Sequence, residues 1–306
     1  MKYNDSADLD TSEVSDTRGG GIPGGRGTIA GGGLGVVGVV VYLLVSLLGG
    51  GGDASQATSV LGGLGSDGQP ATADNRDVQR ECRTGADANR TLECAVVADI
   101  NSIQDYWTAA LPALGARYQE ADTVWFTGGV STGCGTADSG AGPFYCPSDD
   151  LVYIDLDFYD QLRTDFGAAG GPFVNAYVLA HEYGHHVQDL LGTEAKVRTR
   201  SGPKSDSVRL ELQADCYAGV WAKHATEPTA SGPALITDIS DEDLANALDA
   251  AKRIGDDFIQ RNLGGGKVDT SSFTHGTSAQ REKWLLTGYR TGAPSRCDTF
   301  GSDDLG

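Results

Sequence analysis

Three of the chain's five histidines fall within Ala180-His181-Glu182-Tyr183-Gly184-His185-His186-Val187-Gln188, a stretch that contains His-Glu-x-x-His. On a helix, residues four apart share a face, so His181 and His185 can offer two imidazole nitrogens to one metal ion. Glu182 is displaced around the helix from that shared direction and is placed to reach a water on the metal. The chemistry predicted is metal-assisted hydrolysis, with Zn2+ as the ion and Glu182 as catalytic residue. The competing reading is a surface helix with scattered His.

A third ligand is expected from a second helix, the usual source of the carboxylate in His2Glu zinc sites. A helix over 205–223 carries Arg209-Leu210-Glu211-Leu212-Gln213-Ala214-Asp215-Cys216-Tyr217, in which Glu211 and Asp215 again share a face. Glu211 is the predicted ligand, and Asp215 the acceptor behind His181 or His185. The alternative is an ordinary charged pair on a solvated face. The extended pattern with a third His is excluded, because position 191 is Leu191 and the Gly it needs at 188 is Gln188. Serine-nucleophile chemistry is set aside, and no Cys sits beside a His that could serve as its base.

His275, in Phe273-Thr274-His275-Gly276-Thr277, is a candidate donor to the oxyanion formed when water attacks a carbonyl; equally, it is an ordinary loop His. Arg281 is a weaker donor candidate. His186 points away from the His181/His185 direction, and His224 is expected to meet the last carbonyls of its helix.

The elements that must position these residues follow from periodicity and breakers. Apolar residues at helical spacing predict a helix from Val96 to Leu111, closed by Pro112 and Gly115. Short strands are predicted at 123–127 and 151–155, with a Gly-rich loop between them, and a short helix at 158–166. The motif helix runs over 173–191, with Gly192 as its C-cap. One amphipathic helix is predicted over 240–260, capped by Ser240 and Asp243, and another from Thr277 to about Gly288, capped by Thr277 and Gln280. The residues from Asp298 onward are expected to be loose.

Upstream, 1–27 is polar, acidic and Gly-rich, and reads as a disordered tail. Residues 28–48 hold no charge, and as a helix these 21 residues match a hydrocarbon core of about 30 Å. Lys2, Arg18 and Arg26 precede this run and no Lys or Arg follows it before Arg76. Positive charge inside therefore predicts a single-pass protein of the cell membrane, its N-terminus cytoplasmic and its catalytic domain extracytoplasmic. A cleaved signal peptide is the rival. Residues 49–75 read as a Gly-rich linker and 76–306 as the catalytic domain.

All six Cys come after the apolar run, as a disulfide framework outside the cytoplasm requires. Proximity suggests Cys82–Cys94 and Cys134–Cys146, leaving Cys216–Cys297; fifteen pairings are open in principle. No Cys-x-x-Cys spacing supports a thiolate zinc site. With a net charge of −19, the chain offers no basic stripe for nucleic acid or anionic lipid.

The blocks HEYGHHVQ, ELQADCYAGVWA, GPFYCP and FTHGTSAQR, in that setting, resemble the bacterial putative neutral zinc metallopeptidase family. The resemblance covers nearly the whole chain from the apolar run onward. It implies an α+β, zincin-like domain, mostly helical with a small sheet, here preceded by one transmembrane helix. It also implies His181, His185 and Glu211 as zinc ligands and Glu182 as catalytic residue; the Glu-x-x-x-Asp is similar to that of thermolysin-like enzymes.

The function expected is hydrolysis of peptide bonds by Glu-assisted attack of zinc-bound water, on a peptide or protein substrate lying against one of the two predicted strands. An envelope binding or scaffold module with structural zinc, and a zinc amidase acting on cell wall, are the alternatives. Oligomeric state has no signature in the sequence.

Overall fold

The computed structural model describes residues 1–18, 73–229 and 232–306. Two short strands open the chain, β1 (Lys2–Tyr3) and β2 (Val14–Asp16). Helices α1 (Arg76–Glu81), α2 (Gly85–Ala88) and α3 (Leu92–Ala110) come next. The middle of the chain holds β3 (Thr123–Trp125), a hairpin of β4 (Gly129–Thr132) and β5 (Gly135–Asp138), then β6 (Phe144–Cys146) and β7 (Leu151–Ile154). After these come α4 (Phe158–Thr164), the motif helix α5 (Pro172–Leu190) and α6 (Asp206–His224). The rest is β8 (Ile236–Asp238), α7 (Asp241–Arg253), α8 (Asp256–Asn262) and α9 (Ser278–Thr291). The class is α+β.

Local chemistry explains the helix ends. Pro172 sits in the first turn of α5, where its missing N–H is no loss. Ser205 caps α6 by accepting the Val208 amide, and Thr277 with Gln280 forms a complete capping box on α9.

The main sheet has the order β2-β3-β7-β6, with β2, β3 and β7 parallel and β6 antiparallel to β7. Side chains alternate across it, as a pleat demands. Trp125, Tyr145, Val152 and Ile154 enter the main core, while Val124, Phe144, Cys146 and Tyr153 turn to a second apolar cluster that takes in Val130, Cys134 and Ala137 from the hairpin.

Residues 1–18 are not a disordered tail. β2 pairs with β3 and β1 pairs antiparallel with β8, and Tyr3 and Val14 are core residues. Three asparagine side chains read the segment's backbone in the way a neighbouring strand would. Asn89 accepts the Tyr3 amide and donates to the Tyr3 carbonyl, each at 3.0 Å. Asn101 does the same for Asp10 at 2.9 Å, and Asn75 accepts the Asp16 amide and donates to the Val14 carbonyl. Hydropathy cannot register such contacts.

This pairing corrects the predicted topology. The run at 28–48 lies outside the described residues, as does the linker up to residue 72. No helix among the described residues is long and apolar enough to cross a membrane. A single span at 28–48 would put residues 1–18 and 76–306 on opposite faces of a bilayer, whereas they share one sheet and one core. The single-pass arrangement with a cytoplasmic N-terminus is therefore overturned.

Two further expectations change. The helix predicted over 240–260 is two helices, broken at Gly255, where a Cβ would lie 2.5 Å from the Ser278 amide nitrogen. The break exposes the first turn of α8 to the loop before α9. The C-terminal residues are tied down: Trp284 Nε1 donates to the Leu305 carbonyl at 3.1 Å, and Thr299 Oγ1 donates to the Arg209 carbonyl at 2.6 Å.

Helices α5, α6 and α9 form the centre. A Cβ on Gly184 of α5 would meet Ala214 Cα and O at 3.0 Å, and one on Gly288 of α9 would meet the Cys216 carbonyl oxygen at 1.9 Å. Bare glycine surface is what lets the three backbones come so close, despite its penalty inside a helix. Disulfides join Cys82–Cys94, Cys134–Cys146 and Cys216–Cys297, the last tying α6 to the C-terminal segment.

Candidate metal centre

The close approach of α5 and α6 brings three donor groups to one point. His181 Nε2 lies 3.2 Å from His185 Nε2 and 3.2 Å from Glu211 Oε2, and His185 Nε2 lies 3.6 Å from Glu211 Oε1. The donor atoms of these three residues all fall within 4.8 Å of one another, and all three residues are buried.

The far side of each ring is held. His181 Nδ1 donates to Asp215 Oδ1 at 2.9 Å, and His185 Nδ1 donates to Gln188 Oε1 at 2.8 Å. With the protons on Nδ1, both Nε2 atoms turn lone pairs toward each other and toward a carboxylate. Two imidazole nitrogens and a carboxylate converging on one point could hold a cation, and the two-imidazole, one-carboxylate set suits zinc. Gln188 is fixed in turn by donating to the Leu210 carbonyl at 2.7 Å and to Gln213 Oε1 at 3.1 Å.

Asp215 is the hub behind the ligands. It accepts from Tyr177 Oη at 2.7 Å, and from Arg281 Nε at 2.8 Å and Nη2 at 2.9 Å. Burial pushes the Asp215 carboxyl up, but Arg281 and then His181 outweigh it and hold the group down at about 2. Arg281 is 1% exposed and committed to Asp215, so it is no free oxyanion donor.

Glu182 lies one residue from His181 and is also buried; its Oε2 accepts the backbone amide of Tyr145 at 3.1 Å. Burial raises its carboxyl to about 8, against the pull of His181. Strand β6, at one edge of the sheet, thus reaches Glu182 of the motif helix through its main chain.

His275 stands across from Glu211. Burial disfavours its protonated form, yet Glu211 and then Asp256 raise its pKa. Thr274 Oγ1 lies 2.8 Å and Asp256 Oδ1 3.4 Å from its Nδ1, which leaves Nε2 for a ligand. Asp256 Oδ2 accepts the amides of Thr274, His275 and Gly276 at 2.8, 2.8 and 2.9 Å, so one carboxylate at the start of α8 shapes the loop. His186 is buried beside Tyr145 and donates from Nε2 to the Gln119 carbonyl at 2.6 Å. His224 does not bond its own helix end; its Nε2 donates to the Gly292 carbonyl just past α9, at 2.9 Å.

Sequence reading missed Tyr177, Gln188, Tyr145 and Asp256. Tyr177 stands four residues before His181 and Gln188 three after His185, spacings that pointed to both. Nothing local marked Tyr145 or Asp256, which reach the site through distant backbone amides. Gly129-Val130-Ser131-Thr132-Gly133 does carry the letters of a nucleophile elbow, but Ser131 lies within strand β4 of a hairpin, not on a strand-to-helix turn. Cys134, Cys146 and Asp149 also cluster, but both sulfurs are used in a disulfide, so no thiolate is left to bind metal.

Fold and site together define an α+β protein with a buried His2Glu group, set between two packed helices, that could hold a metal ion. The chain belongs to the putative neutral zinc metallopeptidase family, whose sequence model matches residues 1–300. It is 48% identical over 229 residues to an uncharacterized protein of Mycobacterium tuberculosis, covering 74% of this chain and 76% of that one. It is 46% identical over 204 residues to the uncharacterized protein YpfJ of Escherichia coli, covering 65% of this chain and 68% of that protein. No solved structure matches the chain.

Proposed function

We propose that the protein is a zinc-dependent peptidase in which Glu182 is the catalytic base. The observation that carries this reading is the position of Glu182: buried next to the three donors, bonded to the edge strand, and not a member of the donor set. A site that only braced the fold would have no use for a buried carboxylate held beside its metal.

His181, His185 and Glu211 would hold the ion, with Asp215 and Gln188 keeping the two rings in the required tautomer. Zinc held there supplies Lewis acidity and brings the pKa of water it binds to about 7. Glu182 takes a proton from the attacking water as the new C–O bond forms. It then delivers that proton to the amine nitrogen as the C–N bond breaks. His275, oriented by Asp256 and Thr274, donates from Nε2 to the carbonyl oxygen as negative charge grows there.

An extended substrate needs a free strand edge. Both strands predicted for that role are interior: β3 lies between β2 and β7, and β7 between β3 and β6. The edges are β2 and β6, and β6 is the one bonded to Glu182, through the Tyr145 amide, which supports β6 as the strand nearest the proposed base. A peptide added to β6 therefore lies next to the group that must act on it.

The test uses zinc-loaded protein and Glu182→Gln, each incubated with a diverse peptide pool and with peptidoglycan, with and without chelator. Zinc stoichiometry should be equal in the two proteins, and peptide cleavage confined to the first. Cleavage retained by Glu182→Gln sinks the mechanism, and turnover of peptidoglycan alone moves the assignment to a cell-wall amidase.

A further inference from the structure

We propose that Tyr145 is a positioning residue, a lock that sets the register of edge strand β6 on helix α5 so that Glu182 and a substrate on that edge meet correctly. The half of this inference that concerns catalysis rests on the peptidase reading; the half that concerns the lock does not.

β6 is three residues long and pairs with β7 through Phe144, Tyr145 and Cys146. So short a ladder specifies its own register weakly, and a slip of one residue turns every side chain to the other face. The Cys134–Cys146 disulfide ties β6 to the hairpin, not to the motif helix. The hydrogen bonds from this strand to α5 all come from Tyr145, at two heights. Its backbone amide goes to Glu182, while its hydroxyl donates to Asp189 Oδ2 at 3.0 Å and lies 3.1 Å from His186 Nδ1.

Glu182, His186 and Asp189 recur at i, i+4 and i+7, one face of α5. At 1.5 Å per residue, His186 and Asp189 stand roughly 6 and 10 Å further along the helix than Glu182. A tyrosine spans that interval from main chain to hydroxyl with a rigid ring, so it is held at both ends against one face. The ring is 1% exposed, and His186 is itself anchored by the Gln119 carbonyl. The hydroxyl has one proton to share among Asp189, His186 Nδ1 and Asp150 Oδ1, the last at 3.3 Å, so the third histidine of the motif offers an alternative acceptor on the same helix face. Sliding or tilting β6 breaks the hydroxyl contacts and moves the Glu182 contact together.

The experiment compares the full chain with Tyr145→Phe, Asp189→Ala and Asp189→Asn, all loaded with zinc. Three quantities are read: zinc content, residue-resolved amide exchange at position 145, and kcat and KM on the best-cleaved peptide. Tyr145→Phe keeps the ring and should keep zinc. It should speed exchange at position 145 about tenfold and lower kcat about tenfold with KM changed less than about twofold, since misplacement acts on the transition state. Asp189→Asn retains an acceptor and should stay near the parent, while Asp189→Ala should match Tyr145→Phe. The pair Tyr145→Phe/Asp189→Ala should be no worse than either single change. Unchanged exchange at position 145 in Tyr145→Phe overturns the lock, and faster exchange with kcat intact overturns its link to catalysis. If the parent protein cleaves no peptide, the peptidase reading falls and the exchange result alone decides the lock.

Discussion

Arg281 grips Asp215 through two N–H groups at 2.8 and 2.9 Å, and the same carboxylate takes the Nδ1 proton of His181 at 2.9 Å. Three helices, α9, α6 and α5, are thus joined through one buried anion directly behind the candidate metal ligands. Removing the acceptor charge and removing its cation should have different consequences. Asp215→Asn should weaken zinc about 10–100-fold with the fold retained, measured by competition with a chromophoric chelator. Arg281→Met strands a carboxylate in the interior and should cost about 3–5 kcal/mol in urea unfolding. The double variant should be more stable than Arg281→Met alone, because no unpaired charge remains; additive losses would refute the pairing.

The approach of α5 to α6 depends on bare backbone at Gly184. A methyl there meets Ala214 Cα and O at 3.0 Å, so Gly184→Ala should push Glu211 away from the histidines. The expected loss is about 1–3 kcal/mol of stability, accompanied by weaker zinc binding. Gly288→Ala places its methyl 1.9 Å from a backbone oxygen and should yield little folded protein. Thermal melts and soluble yield rank the two; the reverse order would contradict the packing.

Glu13 gives the folded state a pH dependence. Burial pushes its carboxyl from 4.5 up to about 7, and Asn101, which donates to it, offsets this only in part. A folded pKa above the unfolded one means that the native state holds the proton more tightly. The stabilisation is then complete below the unfolded pKa and is lost as pH rises through the folded one. Denaturant midpoints should therefore fall between about pH 4.5 and about 7, and Glu13→Gln should flatten that fall. An unchanged slope in Glu13→Gln would assign the dependence to another group.

His275 is supported by a loop that does not need its side chain, since Asp256 already collects three backbone amides. His275→Ala should keep its zinc and its melting temperature while kcat falls about 10²–10³-fold, the loss typical for one oxyanion donor. Full activity in His275→Ala would reduce the residue to a loop histidine.

Zinc should stabilise the fold by an amount that grows with the logarithm of its free concentration above Kd, because ligands drawn from α5 and α6 come together only in the native state. Melting temperature should rise with added zinc in the parent and stay flat in His185→Ala. A parallel rise in both would place the stabilising ion elsewhere.

Much of the site was legible because it is local. His181, Glu182 and His185 follow from helical spacing alone, and Glu211 with Asp215 from the same rule applied once more. The caps at Ser240 and Thr277 were legible for the same reason. What escaped reading was held by contacts between side chains and distant backbone. Residues 1–18 are polar and acidic, and composition alone made them a tail; Asn75, Asn89 and Asn101 make them part of the fold by bonding main chain, to which hydropathy is blind. That inclusion also undid the predicted arrangement across a membrane.

By itself the sequence pointed to His181, His185 and Glu211 as a donor set, to Asp215 behind it and to Glu182 beside it, because a helix repeats every 3.6 residues whatever surrounds it. Only the tertiary structure decided which strands lie at the sheet's edges, that Arg281 is spent on Asp215, that Tyr145 bonds Glu182, and that Asp256 shapes the loop carrying His275. Those facts depend on which backbones pack within hydrogen-bonding distance, and residues far apart in the chain reach such distances only once the whole core has closed.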